Sequence, residues 1–275
     1  MLAFFRFKTI TKKKIDYGNC ERKSMLYLIQ SNFYSNRNEQ NLIEAIKKKD
    51  LEYYYVTPYV DFTENNLYIS LNGRNDIFVF GGTMLSKLAC KSGWKIGSFL
   101  NDNFDFRAWE NYLNDHLLNN NGLIINSSKL TNLNIKQEMF VRPITDTKEF
   151  TGGVFSLSEI CKLADKNIEI LISKPIKNIE KEYRCFIIDK KVISATLYKM
   201  DNKLFTLNND KNIELLKFAE SIINIWIPNN SCVMDIAYVN DCYKIVEFNN
   251  LNGSGFYDCK IENILTELEI LYLDK

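Results

Sequence analysis

The chain has 275 residues, of which 46% are hydrophobic and 25% charged, a balance typical of a folded globular protein. Its 35 lysines and arginines nearly match its 34 aspartates and glutamates, so the net charge is only +1 at pH 7. Such a balance gives no electrostatic indication of a nucleic-acid or anionic membrane partner. No apolar run approaches the ~20 residues that a membrane-spanning helix needs, and we expect a cytoplasmic protein with no membrane partner.

The cysteines and the single histidine exclude several kinds of site. The seven cysteines are odd in number and none forms a C-x-x-C pair, so neither a zinc ribbon nor a disulfide framework is indicated. Reduced thiols in an intracellular protein are the favoured interpretation. His116 is the only histidine, which argues against histidine-rich metal sites and catalytic triads of the Ser-His-Asp type.

The first half of the chain predicts a small α/β lobe. We expect an N-terminal extension over residues 1–24 and the lobe itself over 25–130, because a regular strand pattern begins only at Met25. Strands and helices alternate within the lobe, as is usual where helices cover a sheet. The predicted elements are a strand over 25–30, a helix over 38–49, a strand over 51–56, a strand, turn and helix over 76–89, and a helix over 104–118.

The second half, residues 131–275, predicts a domain richer in strands. It begins within the polar stretch between about 120 and 137, where the composition changes. The sequence Ser156-Leu-Ser-Glu159 is a capping box that opens a helix. The other predicted elements are strands over 137–144 and 167–173, a hairpin turning at 189–191, a helix over 211–225, a second hairpin, and a last helix over 260–273.

The second hairpin carries polar residues that are expensive to bury in an apolar strand pair. If the turn comprises Asn240 to Cys242, Asp235 lies opposite Glu247 and shares a face with Asn249. A two-residue turn would direct Asp235 to the other face. Two carboxylates on one face repel unless a cation lies between them, and oxygen ligands suit Mg²⁺. The alternative is a solvated face with incidental acidic residues.

A basic cluster lies in FVRPITDTKEFTGG, residues 140–153. Arg142 ends a strand and Lys148 precedes a flexible Thr-Gly-Gly, so two cations beside a glycine turn are suited to hold a polyphosphate. A surface loop with solvated charges is the alternative. The segment matches neither a P-loop nor a dinucleotide-binding fingerprint.

A second charged cluster lies in EKEYRCFIID, residues 180–189. Glu182 and Arg184 are two apart on a strand and project on one face, whereas Tyr183 projects on the other. Lys199 ends the following strand. These residues are either a salt-bridged strand end or cations directed at a phosphate or a substrate carboxylate.

The order of these motifs resembles the ATP-grasp superfamily, and most closely its arginine-to-lysine clade. Members share phrases such as F-x-R-P-x-x-D-x-K-x-F-x-G, which reads FVRPITDTKEFTG in this chain. It is followed in order by EYRCFIIDKKVISATLY, VMDIAY and VEFNNLNGSGFYD. The resemblance covers roughly residues 76–270, and is closest over 138–260.

The resemblance implies an α/β (α+β) ATP-grasp fold, in which two α+β subdomains after a small N-terminal lobe hold ATP between them. It also implies site residues at the matching positions. The implied ligands of Mg²⁺ are Asp235, Glu247 and Asn249. The implied ATP-binding residues are Arg142, Lys148, Gly152, Gly153, Ile172, Ser173, Lys174 and Glu182. The implied catalytic cations are Lys148, Arg184 and Lys199.

The implied activity is a carboxylate–amine ligase that uses ATP and magnesium and proceeds through an acylphosphate, with a peptide or protein as one class of substrate. The alternatives are a phosphotransferase and a nucleotide-binding regulatory module without turnover. The chain departs from many members at Val233, where an arginine is usual. Lys148 or Lys199 is the expected replacement for that cation.

Overall fold

The computed structural model describes residues 24–57, 71, 74–94, 102–145 and 149–273, and these form three sheets. Almost all of the predicted extension, residues 1–23, lies outside the described residues. The division of the chain near residue 130 stays a prediction. Every cysteine within the described ranges is a free thiol.

The N-terminal part of the chain forms a parallel sheet with helices on both faces. The sequence predicts its strands and helices, and the parallel pairing is a finding of the structure. The sheet has the order β2-β1-β3, with β1 at Leu26–Gln30, β2 at Glu52–Val56 and β3 at Ile77–Phe80. Helix α1 spans Asn36–Lys48 and helix α2 spans Thr83–Lys91. Successive residues of β1 alternate between a core shared with α1 and a core shared with α2, because neighbouring side chains in a strand point to opposite faces.

The helix predicted over 104–118 is shorter in the structure. Helix α3 covers only Phe106–Leu113, and a 3-10 helix continues it over Asn114–His116. The chain then becomes extended, because Leu117 bridges Ile245 and the N–H of Leu118 donates to the Ile245 carbonyl. Pairing with a distant strand therefore ends the helix before its apolar pattern does.

The middle of the chain forms a four-stranded antiparallel sheet of order β4-β7-β5-β6. Its strands are β4 at Leu123–Asn126, β5 at Met139–Pro143, β6 at Gly153–Phe155 and β7 at Glu169–Ser173. Helix α4, Leu157–Ala164, packs on one face and begins with the predicted capping box. The sequence predicts β5, β7 and α4 but misses β4 and β6, the two edge strands.

The C-terminal part is built on a five-stranded antiparallel sheet of order β10-β9-β8-β11-β12. These strands are β8 at Ile179–Ile188, β9 at Lys191–Met200, β10 at Lys203–Asn208, β11 at Ser231–Val239 and β12 at Cys242–Asn250. Strand β10 is not predicted by the sequence. The β8–β9 turn comprises two residues instead of the predicted three.

Two helices complete this sheet, both as predicted. Helix α5, Ile213–Ile225, shares one core with α3 and one face of the sheet. Helix α6, Ile261–Leu273, packs with α1 and the N-terminal sheet on the other face. Within the described ranges, no helix has both the length and the apolar character that crossing a membrane requires.

The predicted three-residue turn between β11 and β12 is wrong. Asn240 and Asp241 alone form the turn, both in the left-handed region with φ of 48° and 58°. A two-residue turn would separate Asp235 from Glu247, but a β-bulge at Val246 adds one residue to β12 and shifts the register. Asp235 therefore lies opposite Glu247 as predicted, for a different reason.

Candidate active site

The polar residues of the β11–β12 hairpin lie together on the face of the five-stranded sheet that carries the N-terminal lobe. Asp235 lies opposite Glu247, and Asn249 is two residues further along β12 on the same face. Asp235 is only 1% exposed and Asn249 3%. Buried polar groups need partners, and the partners of these residues define the site.

Arg184 is the partner of Asp235. It lies directly opposite on the neighbouring strand β8, where its Nε donates to Oδ1 at 2.8 Å and its Nη2 to Oδ2 at 2.7 Å. Burial disfavours the charged guanidinium, but the charge and hydrogen bonds of Asp235 outweigh it and raise the pKa of Arg184. Burial raises the pKa of the Asp235 carboxyl, and Arg184 opposes that rise. The result is a buried, two-bond ion pair at the centre of the site.

Two tyrosines and a backbone carbonyl complete the surroundings of Arg184. Its Nη1 donates to the carbonyl of Gly255 at 3.1 Å. The rings of Tyr198 and Tyr257 are stacked, with centroids 5.2 Å apart, and the guanidinium carbon lies 5.4 Å and 5.2 Å from them. The described residues thus engage three of the five N–H donors of the guanidinium and leave two for an oxygen of a ligand.

Arg142 is the corresponding partner of Glu247 and links two sheets. It projects from β5 of the four-stranded sheet, and its Nη2 lies 3.3 Å from Glu247 Oε2. Its Nη1 donates to the carbonyl of Val246 at 3.1 Å, the residue that forms the bulge. The guanidinium also lies over the ring of Trp109, 5.0 Å from its centroid. The bulge that aligns the acidic residues therefore also supplies an acceptor to Arg142.

The donor set of the hairpin fits a magnesium ion. The Asn249 Nδ2 donates to Glu247 Oε1 at 2.9 Å and to Asp235 Oδ2 at 3.4 Å, so the amide of Asn249 contacts both carboxylates. All three carry oxygen, the ligand atom that Mg²⁺ prefers. The side-chain amide of Asn249 has an NH₂ group that can donate to carboxylates and an oxygen that can bind a cation.

Glu182 and Lys199, both predicted site residues, are bound to each other. Lys199 Nζ donates to Glu182 Oε1 at 2.6 Å, and the hydroxyl of Tyr198 donates to Oε2 at 2.7 Å. The β8–β9 register is irregular here, because Glu182 lies opposite Lys199 whereas Tyr183 lies opposite Leu197. Tyr198 is therefore an extra residue in β9, next to the Glu182–Lys199 pair. Burial raises the pKa of Tyr198. The carboxylate of Glu182 is thus already occupied by two donors.

The glycines predicted to bind phosphate lie beside Arg142. Gly153 begins β6 and pairs with Val141. A Cβ on Gly152 would lie 2.9 Å from the Cβ of Arg142, so only glycine allows the loop to pass this close to the arginine. Lys148 lies outside the described residues, and its predicted role stays a prediction.

Three of the implied ATP-binding residues lie where the chain leaves the four-stranded sheet for the five-stranded sheet. Ile172 and Ser173 are buried at the end of β7, and Lys174 begins the five-residue connection to β8. The Ser173 hydroxyl donates to Asn119 Oδ1 at 3.3 Å. These implied ATP-binding residues therefore lie at the covalent link between the two sheets.

The loop over residues 251–258, hereafter the 251–258 loop, joins the site to the N-terminal lobe. The Asn252 carbonyl accepts from the Tyr34 hydroxyl at 2.6 Å. The Asn38 Oδ1 accepts from the backbone N–H groups of Phe256 at 3.1 Å and Tyr257 at 3.0 Å. Sequence reasoning gave no role to Asn38, which lies in no motif, or to Tyr257, which lies in the motif VEFNNLNGSGFYD. The contact between them joins residues 219 positions apart, which a single sequence does not reveal.

Comparisons with known proteins agree with this architecture. A family model for the ATP-grasp domain of the arginine-to-lysine clade, family 2, matches residues 123–266, which are 144 of the 275 residues. No curated protein matches the sequence. Among solved structures, D-alanine–D-alanine ligase from Bacillus anthracis is 14% identical with a TM-score of 0.59, over 91% of this chain and 97% of that one.

Two further solved structures share the fold. A RimK domain ATP-grasp protein from Sphaerobacter thermophilus is 13% identical with a TM-score of 0.58, over 90% of this chain and 99% of that one. The ATP-grasp ligase PsnB, complexed with a minimal precursor, is 12% identical with a TM-score of 0.55, over 92% of this chain and 100% of that one. These likenesses establish the fold, and the family match covers more than half of the chain. The chain belongs to family 2 of the arginine-to-lysine clade of ATP-grasp domains.

Proposed function

We propose that this protein is an ATP- and magnesium-dependent ligase that joins a carboxylate to an amine and releases ADP and phosphate. The observation that carries the proposal is the joint presence of Asp235, Glu247 and Asn249 on one sheet face, with Arg142 and Arg184 bound to the two carboxylates. These groups combine oxygen ligands for a hard cation with guanidinium donors for phosphate.

The nucleotide is proposed to bind between the four-stranded and five-stranded sheets. Its base would contact the end of β7 at Ile172, Ser173 and Lys174. Its phosphates would contact Arg142, Gly152 and Gly153, and Lys148 is proposed as a further phosphate ligand. Strands β5 and β7 are direct neighbours, with Arg142 paired to Leu171. Neighbouring strands are about 4.8 Å apart, so one nucleotide is long enough to contact both groups.

The chemistry follows from the need to activate a carboxylate, which cannot expel oxide. The γ-phosphoryl group of ATP is transferred to the carboxylate oxygen, the amine attacks the carbonyl carbon of the acylphosphate, and phosphate leaves. The unengaged N–H donors of Arg184, aided by Lys148 and Lys199, would neutralise the oxygens that gain charge. Magnesium, held by Asp235, Glu247 and Asn249, would supply further neutralisation of the phosphates when bound.

A peptide or protein is the substrate class that we propose to test first. The structural neighbour PsnB was solved with precursor peptide PsnA2 and AMPPNP, and also with magnesium and ADP. The neighbour from Bacillus anthracis was solved with ATP. At these low identities the neighbours motivate the choice of class and leave the substrate of this chain to experiment.

The proposal is tested by nucleotide binding followed by turnover. We expect calorimetry to detect binding of ATP in the presence of Mg²⁺, and a screen of pooled peptides, amino acids and small carboxylates to detect ADP release. Glu247→Gln should reduce both, whereas Glu180→Gln, an exposed glutamate on the same sheet, should change neither. Absence of nucleotide binding by the folded wild-type protein would refute the proposal, and binding without turnover would favour a regulatory module.

A further inference from the structure

The 251–258 loop contacts Arg184 on one side and helix α1 of the N-terminal lobe on the other. We propose that Asn38 on α1 is a positioning residue for Arg184, acting through this loop. The inference rests on the proposed function, in which Arg184 meets the γ-phosphate or the acyl group. It assigns to the N-terminal lobe a part in setting the geometry of phosphoryl transfer.

The first step is the contact between Asn38 and the loop. The Oδ1 atom accepts two backbone hydrogen bonds, from Phe256 at 3.1 Å and Tyr257 at 3.0 Å. The Nδ2 atom donates to Ser35 Oγ at 3.0 Å, the residue that precedes α1, and this bond fixes which end of the amide faces the loop. The side chain of Asn38 is thus fixed in position on α1, and it binds two consecutive backbone N–H groups of the loop.

The second step is the contact between the loop and Arg184. Gly255, which precedes the two held residues, presents its carbonyl to Arg184 Nη1 at 3.1 Å. The ring of Tyr257 lies 5.2 Å from the guanidinium carbon. Tyr257 has a φ of 50°, a left-handed conformation that is unfavourable for a residue with a side chain, so its backbone needs an external restraint. The hydrogen bond to Asn38 supplies that restraint.

The orientation of the Arg184 guanidinium requires a restraint in addition to Asp235. Asp235 fixes Nε and Nη2, which still leaves the guanidinium free to tilt about the axis of this two-bond contact. The Gly255 carbonyl and the Tyr257 ring hold the Nη1 side and so set the direction of the remaining N–H donors. A small misplacement of a charged donor is sufficient to weaken its contact with a transferring phosphoryl group.

The test is a double-mutant cycle that measures discrimination between a triphosphate and a diphosphate. The measured quantity is the Kd of ADP divided by the Kd of AMPPNP, each determined by calorimetry in Mg²⁺. Arg184→Lys keeps a charge beside Asp235 but loses the fork, and should lower this ratio about tenfold. Asn38→Ala should lower it about threefold to tenfold, and should have no further effect when Arg184→Lys is present.

Two controls accompany the cycle. Asn38→Asp keeps an acceptor for the loop and should retain most of the wild-type ratio. Arg37→Gln removes an exposed ion pair between the same helix and Asp258, and should leave the ratio unchanged. Alanine is a strong helix former, so α1 is expected to remain intact in Asn38→Ala.

The outcomes separate this inference from the proposed function. If wild-type protein binds neither nucleotide in Mg²⁺, the proposed function fails. If it binds both and Asn38→Ala keeps the wild-type ratio, or lowers it equally with and without Arg184→Lys, Asn38 has only a structural role and the inference is overturned. If Arg184→Lys keeps the wild-type ratio of the two Kd values, the inference is also overturned, because Arg184 then makes no contact that distinguishes a triphosphate from a diphosphate.

Discussion

At the scale of single residues, two arginines neutralise the two carboxylates of the candidate site. Arg184 and Asp235 are both nearly fully buried, whereas the side chain of Glu247 is 29% exposed beside Arg142. A buried charge that loses its partner is far more costly than an exposed one, because water cannot replace the missing interaction. The two ion pairs should therefore differ in what they contribute to stability.

The change Arg184→Gln should destabilise the fold strongly. It leaves the Asp235 carboxylate buried without its cation, and we expect a loss of about 3 to 5 kcal/mol in the free energy of unfolding. Urea denaturation of the ligand-free protein measures this loss. Arg37→Gln is the matched control, because its ion pair with Asp258 is exposed and should contribute under about 1 kcal/mol. Equal losses in the two variants would show that the buried pair is not the central contact described.

At the scale of elements, the β11–β12 hairpin depends on its turn and its bulge together. The turn residues Asn240 and Asp241 both adopt positive φ. Two-residue turns of this kind have a backbone twist that matches the right-handed twist of the flanking strands. The bulge at Val246 then shifts the register so that the acidic residues meet. Each feature alone would direct Asp235 and Glu247 to opposite faces.

Substitutions at Asp241 test the turn. Asp241→Gly should be neutral or slightly stabilising, because glycine adopts positive φ without steric cost. Asp241→Val should lower the free energy of unfolding by about 1 to 2 kcal/mol relative to the glycine variant. Both variants lose the same contact with Tyr238, so thermal denaturation compares backbone conformation alone. Equal stability of the two variants would contradict a left-handed turn at this position.

The same hairpin shows what the sequence could predict. Alternation along β12 is sufficient to bring Glu247 and Asn249 onto one face, and the family motifs indicate a site there. Whether Asp235 shares that face depends also on the register of the hairpin. The predicted turn length is wrong because a bulge leaves no signal in alternation: Val246 is an ordinary strand residue. The edge strands β4, β6 and β10 are missed for a similar reason, because short or solvent-exposed strands lack a clear apolar pattern.

Long-range partners are the other part that the sequence could not supply. Arg184 is predicted to meet a phosphate, and its pairing with Asp235 depends on β8 and β11 being neighbours, although the two residues are 51 positions apart in the chain. The contacts of Asn38 and Trp109 with the site depend on how the N-terminal lobe and α3 pack. Such neighbours follow from sheet order, which a single sequence specifies only weakly.

At the scale of the whole molecule, the candidate site lies where all three sheets meet. Arg142 brings the four-stranded sheet to β12, and the 251–258 loop brings the N-terminal lobe to Arg184. Binding of a ligand at this position would therefore stabilise several parts of the chain at once. The charges of the two arginines and the two carboxylates cancel. A magnesium ion without nucleotide therefore gains no net electrostatic attraction from these four groups.

This balance of charge predicts that Mg²⁺ and nucleotide stabilise the protein only together. Mg²⁺ alone should leave the Tm unchanged, whereas Mg²⁺ with AMPPNP at a hundred times its Kd should contribute about 2.7 kcal/mol and raise the Tm by roughly 5 to 10 °C. Differential scanning fluorimetry measures the shift. It should be strongly reduced in Glu247→Gln and retained in Glu180→Gln. An equal shift with Mg²⁺ alone would contradict the proposed neutralisation by the arginines.

The transfer of oxygen during turnover tests the central claim most directly. With an acid substrate found by the ADP-release screen and labelled with ¹⁸O in its carboxylate, a ligase acting through an acylphosphate moves one labelled oxygen into the released phosphate. We predict that mass spectrometry of the phosphate detects this label in the presence of the amine. Unlabelled phosphate alongside product amide, or a phosphorylated hydroxyl product, would contradict the account and identify a different use of the same ATP site.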